Sequence, residues 1–443
     1  RRNLIEILVY RYPNALISHR SAKEMRPTST GDFFLTNSTT RRVTDLPGII
    51  LNFVKGPKAT AHDIPFMGMH ISGEHRYMLE NMQLSRKSGD ESRVLPISVI
   101  ENKLEQLLLT GGEERLNQYR DELREVANEL GMADEFSKIN NIISALLSTH
   151  DARVLSTDSA KARASGNPFD ANRVGLFEIL FDTIKDRYFV IRNNRNTDED
   201  SFRLFSFFES YFSNYIEGTE FDIEEAKEIV DSGIPMPRRD EDSHDILGTF
   251  KILSNRTEMR RVPTSPEELF AILSHRHTIL LEGRPHMNPG VFKMRNNRAG
   301  QTEFVDYQLV KGTLSQGFKY YSALTDPFAR AIFMMFMISE VHPFNDGNGR
   351  IARVMMNAEF VRADQSRIIV PTVFREDYIL ALRKLTRHKD PMAYINVMTK
   401  LHQFSDNLYG TDFTELKNYL AACNAYEEPS QAKLQIIDRS IRH

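Results

Sequence analysis

The sequence predicts a mainly α-helical protein of several domains, with a small α+β module at its N-terminus. Its 443 residues exceed the roughly 150 of a typical single domain. Apolar residues recur at helical spacing over most of the chain beyond residue 96, whereas short strand-like stretches bounded by Gly, Pro and Thr cluster before residue 72. A composition of 41% hydrophobic and 26% charged residues is ordinary for a folded protein and argues against disorder.

The N-terminal segment is basic, although the net charge of −3 excludes a globally basic nucleic-acid coat protein. Residues 1–60 carry ten Lys and Arg against four acidic residues, a difference of +6. Helix-like runs at 4–10 and 18–25 precede strand-like stretches, which lie at 33–36, 49–54 and 64–71. This order is typical of a winged-helix module, and the charge favours DNA as a partner. Arg41 and Arg42, in the expected wing or turn, are the candidate DNA-binding residues.

Helix signals follow one another through the remainder of the chain. Thr197 is the predicted N-cap of a helix with an acidic first turn. Residues 326–341 are nearly all apolar, which predicts a buried central helix. We expect an exposed loop at 232–245, where prolines and mixed charges cluster, and a hairpin within 285–312 that uses 304–307 as one arm.

Two features bear on the compartment of the protein. Cys423 is the single cysteine, which excludes a disulfide framework or a Cys-based zinc cluster within this sequence. The longest apolar run, 331–338, is far shorter than the about 18 residues that span a membrane. No signal-peptide-like run follows Arg1, although the true start could lie upstream. The sequence therefore predicts a cytoplasmic protein with no membrane partner.

The residues after the apolar helix form a concentrated polar string, His342-Pro343-Phe344-Asn345-Asp346-Gly347-Asn348-Gly349-Arg350-Ile351-Ala352-Arg353. Its glycines permit unusual backbone angles and close approaches just before a predicted helix, whose free N–H groups and two arginines on one face form an anion site. Asp346 is a hard oxygen ligand suited to Mg²⁺, and His342 is a candidate general base that titrates near neutral pH. Asn357, one turn beyond Arg353, is a candidate nucleotide contact.

A base, a carboxylate for Mg²⁺, a glycine-rich turn and two arginines together predict phosphoryl or nucleotidyl transfer. The string lacks the Lys-Ser/Thr ending of a Walker loop, so ordinary NTPase chemistry is not indicated. His275, His277 and His286 are irregularly spaced without a supporting acid pattern, so they do not predict a metal site.

The string resembles the signature of the Fic family, H-x-F-x-(D/E)-G-N-G-R-x-x-R, with every specified position filled. The resemblance implies an all-helical Fic core with a small β-hairpin flap that aligns the target. It also implies an enzyme that transfers AMP from ATP to a Ser, Thr or Tyr hydroxyl of a target protein or of itself. In this family pattern His342 would deprotonate the hydroxyl, Phe344 would anchor the loop, and Asp346 would hold Mg²⁺. Phosphate contacts would come from the other signature residues, Gly347, Asn348, Gly349, Arg350 and Arg353.

A second string, Ser213-Asn214-Tyr215-Ile216-Glu217-Gly218, resembles the inhibitory motif of the same family, (S/T)-x-x-x-E-(G/N). Its position before the core implies the class II type, in which the inhibitory helix is N-terminal and Glu217 pairs with Arg353. An acid held against Arg353 removes a cation that the γ-phosphate needs, so we expect autoinhibition. Ser213 is the second regulatory candidate.

The N-terminal residues to about 90 resemble the winged-helix antitoxin domain of abortive-infection toxin–antitoxin systems. The strings that carry this likeness lie at 16–22, 34–36, 45–48 and 70–81. The predicted organisation is a winged-helix domain, a helical companion and linker, a Fic N-terminal region with the inhibitory helix, a Fic core and a helical tail, at 1–90, 91–165, 166–250, 251–400 and 401–443.

Two alternatives to AMP transfer remain open at the level of sequence. The same site could run in reverse, with Glu217 orienting a water that removes AMP from a modified protein. The chain could instead be a DNA-binding transcriptional regulator or an antitoxin-like protein whose Fic part senses nucleotide. The sequence also allows a homo-oligomer and leaves the target protein open.

Overall fold

The computed structural model describes residues 4–148, 151–300 and 302–439. The chain divides into two compact units, Arg1–Pro168 and Phe169–His443. It is mainly α-helical, which confirms the predicted fold class, and the strands in the described ranges form one sheet near the N-terminus and one short hairpin. Within the described part of the chain, no helix is long and apolar enough to cross a membrane.

The first unit contains a sheet with the spatial strand order β3-β4-β2-β1-β6-β5. The strands are β1 (Leu16–Ile17), β2 (Asp32–Asn37), β3 (Arg41–Leu46), β4 (Ile49–Lys55), β5 (Ile64–Phe66) and β6 (Met69–Ile71). The helices of this unit are α1 (Leu4–Arg11), α2 (His19–Glu24), α3 (Glu74–Glu80), α4 (Ile97–Leu130), α5 (Ala133–Leu146) and α6 (Asp158–Ala164). The pairs β2–β4 and β1–β6 are parallel, and the other neighbouring pairs are antiparallel.

Two hydrophobic clusters hold the first unit together. In one, Leu8 of α1 packs with alternating residues of the sheet such as Phe33 and Leu51, which are fully buried. In the other, Leu79 of α3 packs with residues of the long helices such as Leu104. Helix α3 therefore packs with the helices that follow it in the chain. Earlier in the chain, strand β1 lies between α1 and α2. This order differs from the expected helices followed by a sheet, and the winged-helix assignment stays a prediction.

The second unit is a bundle of helices with one two-stranded hairpin. The helices are α7 (Ala171–Ile184), α8 (Glu199–Ile216), α9 (Ile223–Ser232), α10 (Asp240–Leu253), α11 (Arg256–Met259), α12 (Pro266–Leu280), α13 (Val310–Ala323), α14 (Pro327–Val341), α15 (Asn348–Arg362), α16 (Arg375–His388), α17 (Pro391–Ser405) and α18 (Phe413–Ala422). The hairpin strands are β7 (Arg298–Ala299) and β8 (Thr302–Glu303).

The predicted buried helix at 326–341 is confirmed as α14. The Asp326 side chain accepts a hydrogen bond from the Ala329 amide, which caps the helix start, and Pro327 occupies its first turn. Most side chains of α14 are buried, and α14 packs along α15. The two helices meet at the polar string, because α14 ends at Val341 and α15 begins at Asn348.

Three sequence predictions about this unit were wrong in detail. The cap of α8 is Asp198, which accepts from the Ser201 amide, and not Thr197. The expected exposed loop at 232–245 is limited to residues 233–239, because residues 240–245 begin α10, whose acidic first turn is favourable at a helix N-terminus and whose other side is buried. Residues 304–307 do not form a hairpin arm, since β8 ends at Glu303.

Candidate active site

The end of α14 presents His342 with its Nε2 nitrogen available. His342 adopts a left-handed φ of 47° as the C-cap, and its backbone N–H donates to the Ile338 carbonyl. Its Nδ1 lies 2.5 Å from the Ser339 carbonyl oxygen, which can only accept, so Nδ1 carries the proton and Nε2 keeps its lone pair. Burial lowers the pKa of His342 to about 4, below the near-neutral value that the sequence suggested. The imidazole is therefore neutral at physiological pH.

An aromatic ring from the segment after the hairpin covers one face of this imidazole. Phe304 stacks on His342 with ring centroids 3.3 Å apart and an interplanar angle of 5°. The Phe304 amide in turn donates to the Asn297 carbonyl, and the Asn297 side chain donates to the Phe344 carbonyl at 2.9 Å. The hairpin region is thereby fastened to the polar string beside the candidate base.

The loop between α14 and α15 is closed by its own side chains. The buried Phe344 donates its amide to Asn348 Oδ1, and Asn348 Nδ2 donates back to the Phe344 carbonyl, both at 2.9 Å. Gly347 has a φ of 70°, which favours glycine, and caps α15. Asp346 Oδ1 accepts from the Gly347 amide, while 38% of the Asp346 side chain remains exposed. The loop thus presents one carboxylate next to a helix N-terminus.

Arg350 is held by a buried carboxylate from another helix. Its Nη1 lies 2.6 Å from Asp245 Oδ2 of α10, and both side chains are 3% exposed. Arg284 also binds Asp245 through two hydrogen bonds of 3.0 and 2.7 Å, so one acid neutralises parts of two cations. Burial raises the pKa of Asp245, and the two guanidinium groups oppose that shift. Asn214 Oδ1 accepts a weaker hydrogen bond from Arg350 at 3.4 Å.

Arg353 is held by the end of α8. Its Nη2 lies 2.6 Å from Glu217 Oε1, and its Nε and Nη2 donate to the hydroxyl and carbonyl of Ser213, both at 2.9 Å. Burial acts to raise the pKa of Glu217, but the Arg353 guanidinium outweighs this effect and leaves it below its ordinary value. Both strings singled out in the sequence therefore meet at one arginine.

Gly349 makes room for this contact. A side chain on Gly349 would collide with Glu217 Oε1, so the carboxylate lies directly against the backbone at the start of α15. This is the place where the first free N–H groups of a helix bind anions. Glu217 therefore occupies part of the candidate anion site as well as its arginine.

Three candidate residues lie elsewhere. Asn357 is fully buried, and its amide is satisfied by Glu209 and by the backbone of Ile368, so the structure does not bring it to the loop. Arg41 and Arg42 are neighbours on the edge strand β3 and point to opposite faces of the sheet. Arg41 lies over the rings of Tyr12 and Phe53, both arginines are exposed, and their role in DNA binding stays a prediction.

The sequence reasoning missed residues that support the site from other elements. Asp245 and Asn214 bind Arg350, and Lys293 donates to the Val341 carbonyl at the end of α14 and to Asn297. Burial lowers the pKa of Lys293 to about 8. Helical periodicity could have shown that Asp245 lies in a helix, but no local signal links it to Arg350.

The donor set around the loop limits how a metal could be held. Across the described ranges, no group of three or more His, Cys, Asp or Glu side chains could hold a metal ion. Asp346 supplies a single partly exposed carboxylate. Such a donor fits an ion that arrives with phosphate oxygens and water as its other ligands, which is the usual coordination of Mg²⁺.

The second unit thus combines a neutral imidazole, a helix N-terminus and two buried arginines, an arrangement suited to a nucleotide. In agreement with it, residues 265–359 match the model of the Fic/DOC family. Residues 265–359 are therefore similar to the Fic domain of this family.

Known proteins named for this domain are similar to parts of the chain. Protein adenylyltransferase fic-1 of Caenorhabditis elegans is 30% identical over 115 residues, which are 26% of this chain and 22% of that protein. Protein adenylyltransferase Fic of Nematostella vectensis is 24% identical over 214 residues, 45% of this chain and 47% of that protein. A solved fragment of Fic-1 from C. elegans is similar at 16% identity with a TM-score of 0.40, covering 74% of this chain and 92% of that chain. The chain spans less than half the length of these two curated relatives.

Proposed function

We propose that this chain is a protein adenylyltransferase that transfers AMP from ATP to a Ser, Thr or Tyr hydroxyl of a target protein or of itself. The observation that carries the proposal is the buried Arg350 beside the glycine turn. Its Nε has no hydrogen-bond partner among the described residues. A buried donor left unsatisfied costs about 1–3 kcal/mol, and a phosphate oxygen at this position would satisfy it.

The triphosphate would lie along the start of α15. The amides from Gly347 to Gly349 and the guanidinium groups of Arg350 and Arg353 would bind its oxygens. Asp346 would hold Mg²⁺ together with the phosphates, and the ion would neutralise phosphate charge when ATP is bound. Arg350 and Arg353 lie three residues apart on α15, so they reach the same side of the ligand.

His342 would supply the proton acceptor. Its Nε2 would take the proton of the target hydroxyl as that oxygen bonds to the α-phosphorus, and the bond to the pyrophosphate oxygen would break so that pyrophosphate leaves. The hydrogen bond from Nδ1 to the Ser339 carbonyl fixes the tautomer that this step requires. Phe304 covers one ring face and would hold the imidazole in that orientation.

Glu217 would inhibit this reaction. Its carboxylate lies on Arg353 and against Gly349, where it would repel phosphate oxygens and occupy their cation. The contact is consistent with an inhibitory helix N-terminal to the core. Because 35% of the Glu217 side chain is exposed, the carboxylate could leave Arg353 without moving the rest of α8.

Labelled ATP tests the proposal directly. Glu217→Gly should raise AMP incorporation by about tenfold or more, since a charge-assisted hydrogen bond of about 1.5–3 kcal/mol no longer opposes ATP. His342→Ala should abolish labelling in the same background. Glu220→Gly is the matched control, because Glu220 is an exposed acid in the loop between α8 and α9. Equal labelling of the His342→Ala protein, or no labelling of any variant, would sink the proposal.

One observation also favours the reverse reaction as a second candidate. Burial lowers the pKa of His342, and the Glu217 charge partly opposes this shift. Because Glu217 lies against Gly349 and His342 stands at the other end of the same string, the two groups could act on one water. Protein that has been AMPylated by the Glu217→Gly variant should then lose AMP on incubation with wild type without ATP. Equal release by wild type and by Glu217→Gly would exclude a role for Glu217 in this direction.

A further inference from the structure

A buried histidine outside the signature contacts both the loop between α14 and α15 and the segment that precedes the hairpin. His277 of α12 is fully buried. Its Nε2 lies 3.0 Å from the Asp346 carbonyl oxygen, and its Nδ1 lies 2.9 Å from the Gly290 amide nitrogen. Its ring stacks on Phe344 at 3.7 Å with an interplanar angle of 5°. One imidazole therefore touches the signature loop at two residues and the segment that leads to the hairpin at a third.

The two hydrogen bonds fix the tautomer of His277. The Gly290 amide can only donate, so Nδ1 must hold a lone pair. The Asp346 carbonyl can only accept, so Nε2 must carry the proton. The other neutral tautomer would set two donors against each other at Gly290 and leave two acceptors facing each other at Asp346. Only the Nε2–H form satisfies both contacts.

The backbone at Gly290 is shaped for this contact. Gly290 has a φ of 78°, and a side chain there would collide with Thr278 Oγ1 and lie 3.0 Å from the Ser274 carbonyl of α12. Glycine lets the segment lie directly against α12, where its amide reaches His277. The same segment continues through Lys293, whose amide donates to the Pro343 carbonyl at 2.8 Å.

We propose that His277 is a positioning residue that couples the Asp346 loop to the segment before the hairpin. His277 would orient Asp346, whose carboxylate would bind the metal-bound nucleotide. It would also fix the position of the segment before the hairpin through Gly290. This inference rests on the proposed AMP transfer for its functional meaning, while its structural content is independent of any activity. His277 acts through Asp346 and Gly290 and contacts no substrate atom.

Three substitutions in the Glu217→Gly background separate the two contacts. His277→Gln retains a donor near the Nε2 position for Asp346 but no acceptor for Gly290. His277→Asn retains an acceptor near Nδ1 for Gly290 but no donor that reaches Asp346. His277→Phe keeps an aromatic ring against Phe344 and loses both hydrogen bonds, so it reports what stacking alone maintains.

Hydrogen exchange measures the Gly290 contact without nucleotide. In peptides covering residues 285–292, His277→Gln and His277→Phe should raise amide exchange by about tenfold, the equivalent of one hydrogen bond, while His277→Asn should not. Calorimetric binding of MgATP measures the Asp346 contact. There His277→Asn and His277→Phe should weaken binding by about fivefold to tenfold, and His277→Gln should not. The same loss in all three variants would overturn the coupling.

Nitrogen NMR of the unsubstituted full chain gives a test that needs no variant to be active. The signals of His277, assigned against the His277→Gln protein, should show the Nε2–H tautomer. An Nδ1–H tautomer would overturn the proposal, because Gly290 could not then donate to it. If AMP transfer itself fails, the exchange and NMR results still decide the role of His277. If AMP transfer succeeds while exchange and binding do not change, only this inference is lost.

Discussion

The two arginines of the polar string are each bound by a carboxylate, and the two pairs differ in burial and backbone. The N–O distance is 2.6 Å in both. Asp245 is 3% exposed, lies within α10 and also binds Arg284. Glu217 is 35% exposed and is the C-cap of α8, followed by Gly218 with a φ of 94°. Distance alone therefore does not distinguish a permanent contact from one that can open.

The difference indicates which contact belongs to the framework and which could regulate. Removing one partner of a buried ion pair costs about 3–5 kcal/mol because the other charge stays buried. Arg353 is also buried, but the partly exposed Glu217 carboxylate can be rehydrated when it leaves, so opening this contact costs less, about 1.5–3 kcal/mol. We therefore expect Asp245 to hold Arg350 in every state and Glu217 to be the contact that ATP or a regulator displaces.

The largest expected effect concerns the buried pair of Asp245 and Arg350. Asp245→Ala should lower the free energy of unfolding by about 3–5 kcal/mol, because Arg350 and Arg284 would lose their shared counter-charge. Urea denaturation measures this change. Asp240→Ala on the exposed first turn of α10 is the control and should have little effect. A small loss at Asp245 would remove the contrast between the two pairs.

The next effect concerns the pair at the end of α8. Glu217→Gln should tighten MgATP binding by about tenfold, since the charge on Arg353 is freed while the side-chain shape is kept. Stability should fall by about 1–2 kcal/mol, because the Gln amide oxygen can still accept from Arg353 while the charge of the acceptor is lost. Calorimetry and urea denaturation measure the two quantities, with Glu220→Gln as control. Unchanged ATP affinity would show that Glu217 does not compete with phosphate.

A smaller effect separates the two residues of α8 that bind Arg353. Ser213→Ala removes the acceptor for Arg353 Nε and should cost about 1 kcal/mol of stability, the usual value for one hydrogen bond. Ser213→Thr keeps a hydroxyl and should recover most of it. If Ala and Thr are equivalent, the Ser213 hydroxyl does not help to hold the guanidinium.

The smallest expected effect is a flat pH profile. The pKa of His342 is lowered to about 4, so the imidazole stays unprotonated, and competent as a base, as the pH falls from 8 to 6. An ordinary histidine would lose half of its basic form near pH 6.5, roughly its unperturbed pKa. Loss of the Glu217 charge should shift the decline further downward, since that charge raises the pKa of His342. AMP incorporation by Glu217→Gly at saturating MgATP measures the profile, and a midpoint near 6.5 would contradict it.

Local signals in the sequence were sufficient for the buried helix α14 and for the polar string. Capping residues and apolar spacing located α14, because both act within a few residues of the helix itself. The chemistry of the string 342–353 was also predictable from the sequence, because its base, carboxylate, glycines and arginines lie close together in the chain. The contact between Glu217 and Arg353 was anticipated only because two strings matched one family pattern.

The tertiary structure decided which remote side chains complete the site. Asp245 was placed in an exposed loop, since the charges on the solvent side of α10 conceal that this one acid faces Arg350. His277 showed no metal-binding pattern, yet packing of α12 brings its two nitrogens to Asp346 and Gly290. Helical periodicity fixes the face on which a residue lies, whereas the partner on that face depends on how distant helices pack, which no local stretch of sequence encodes.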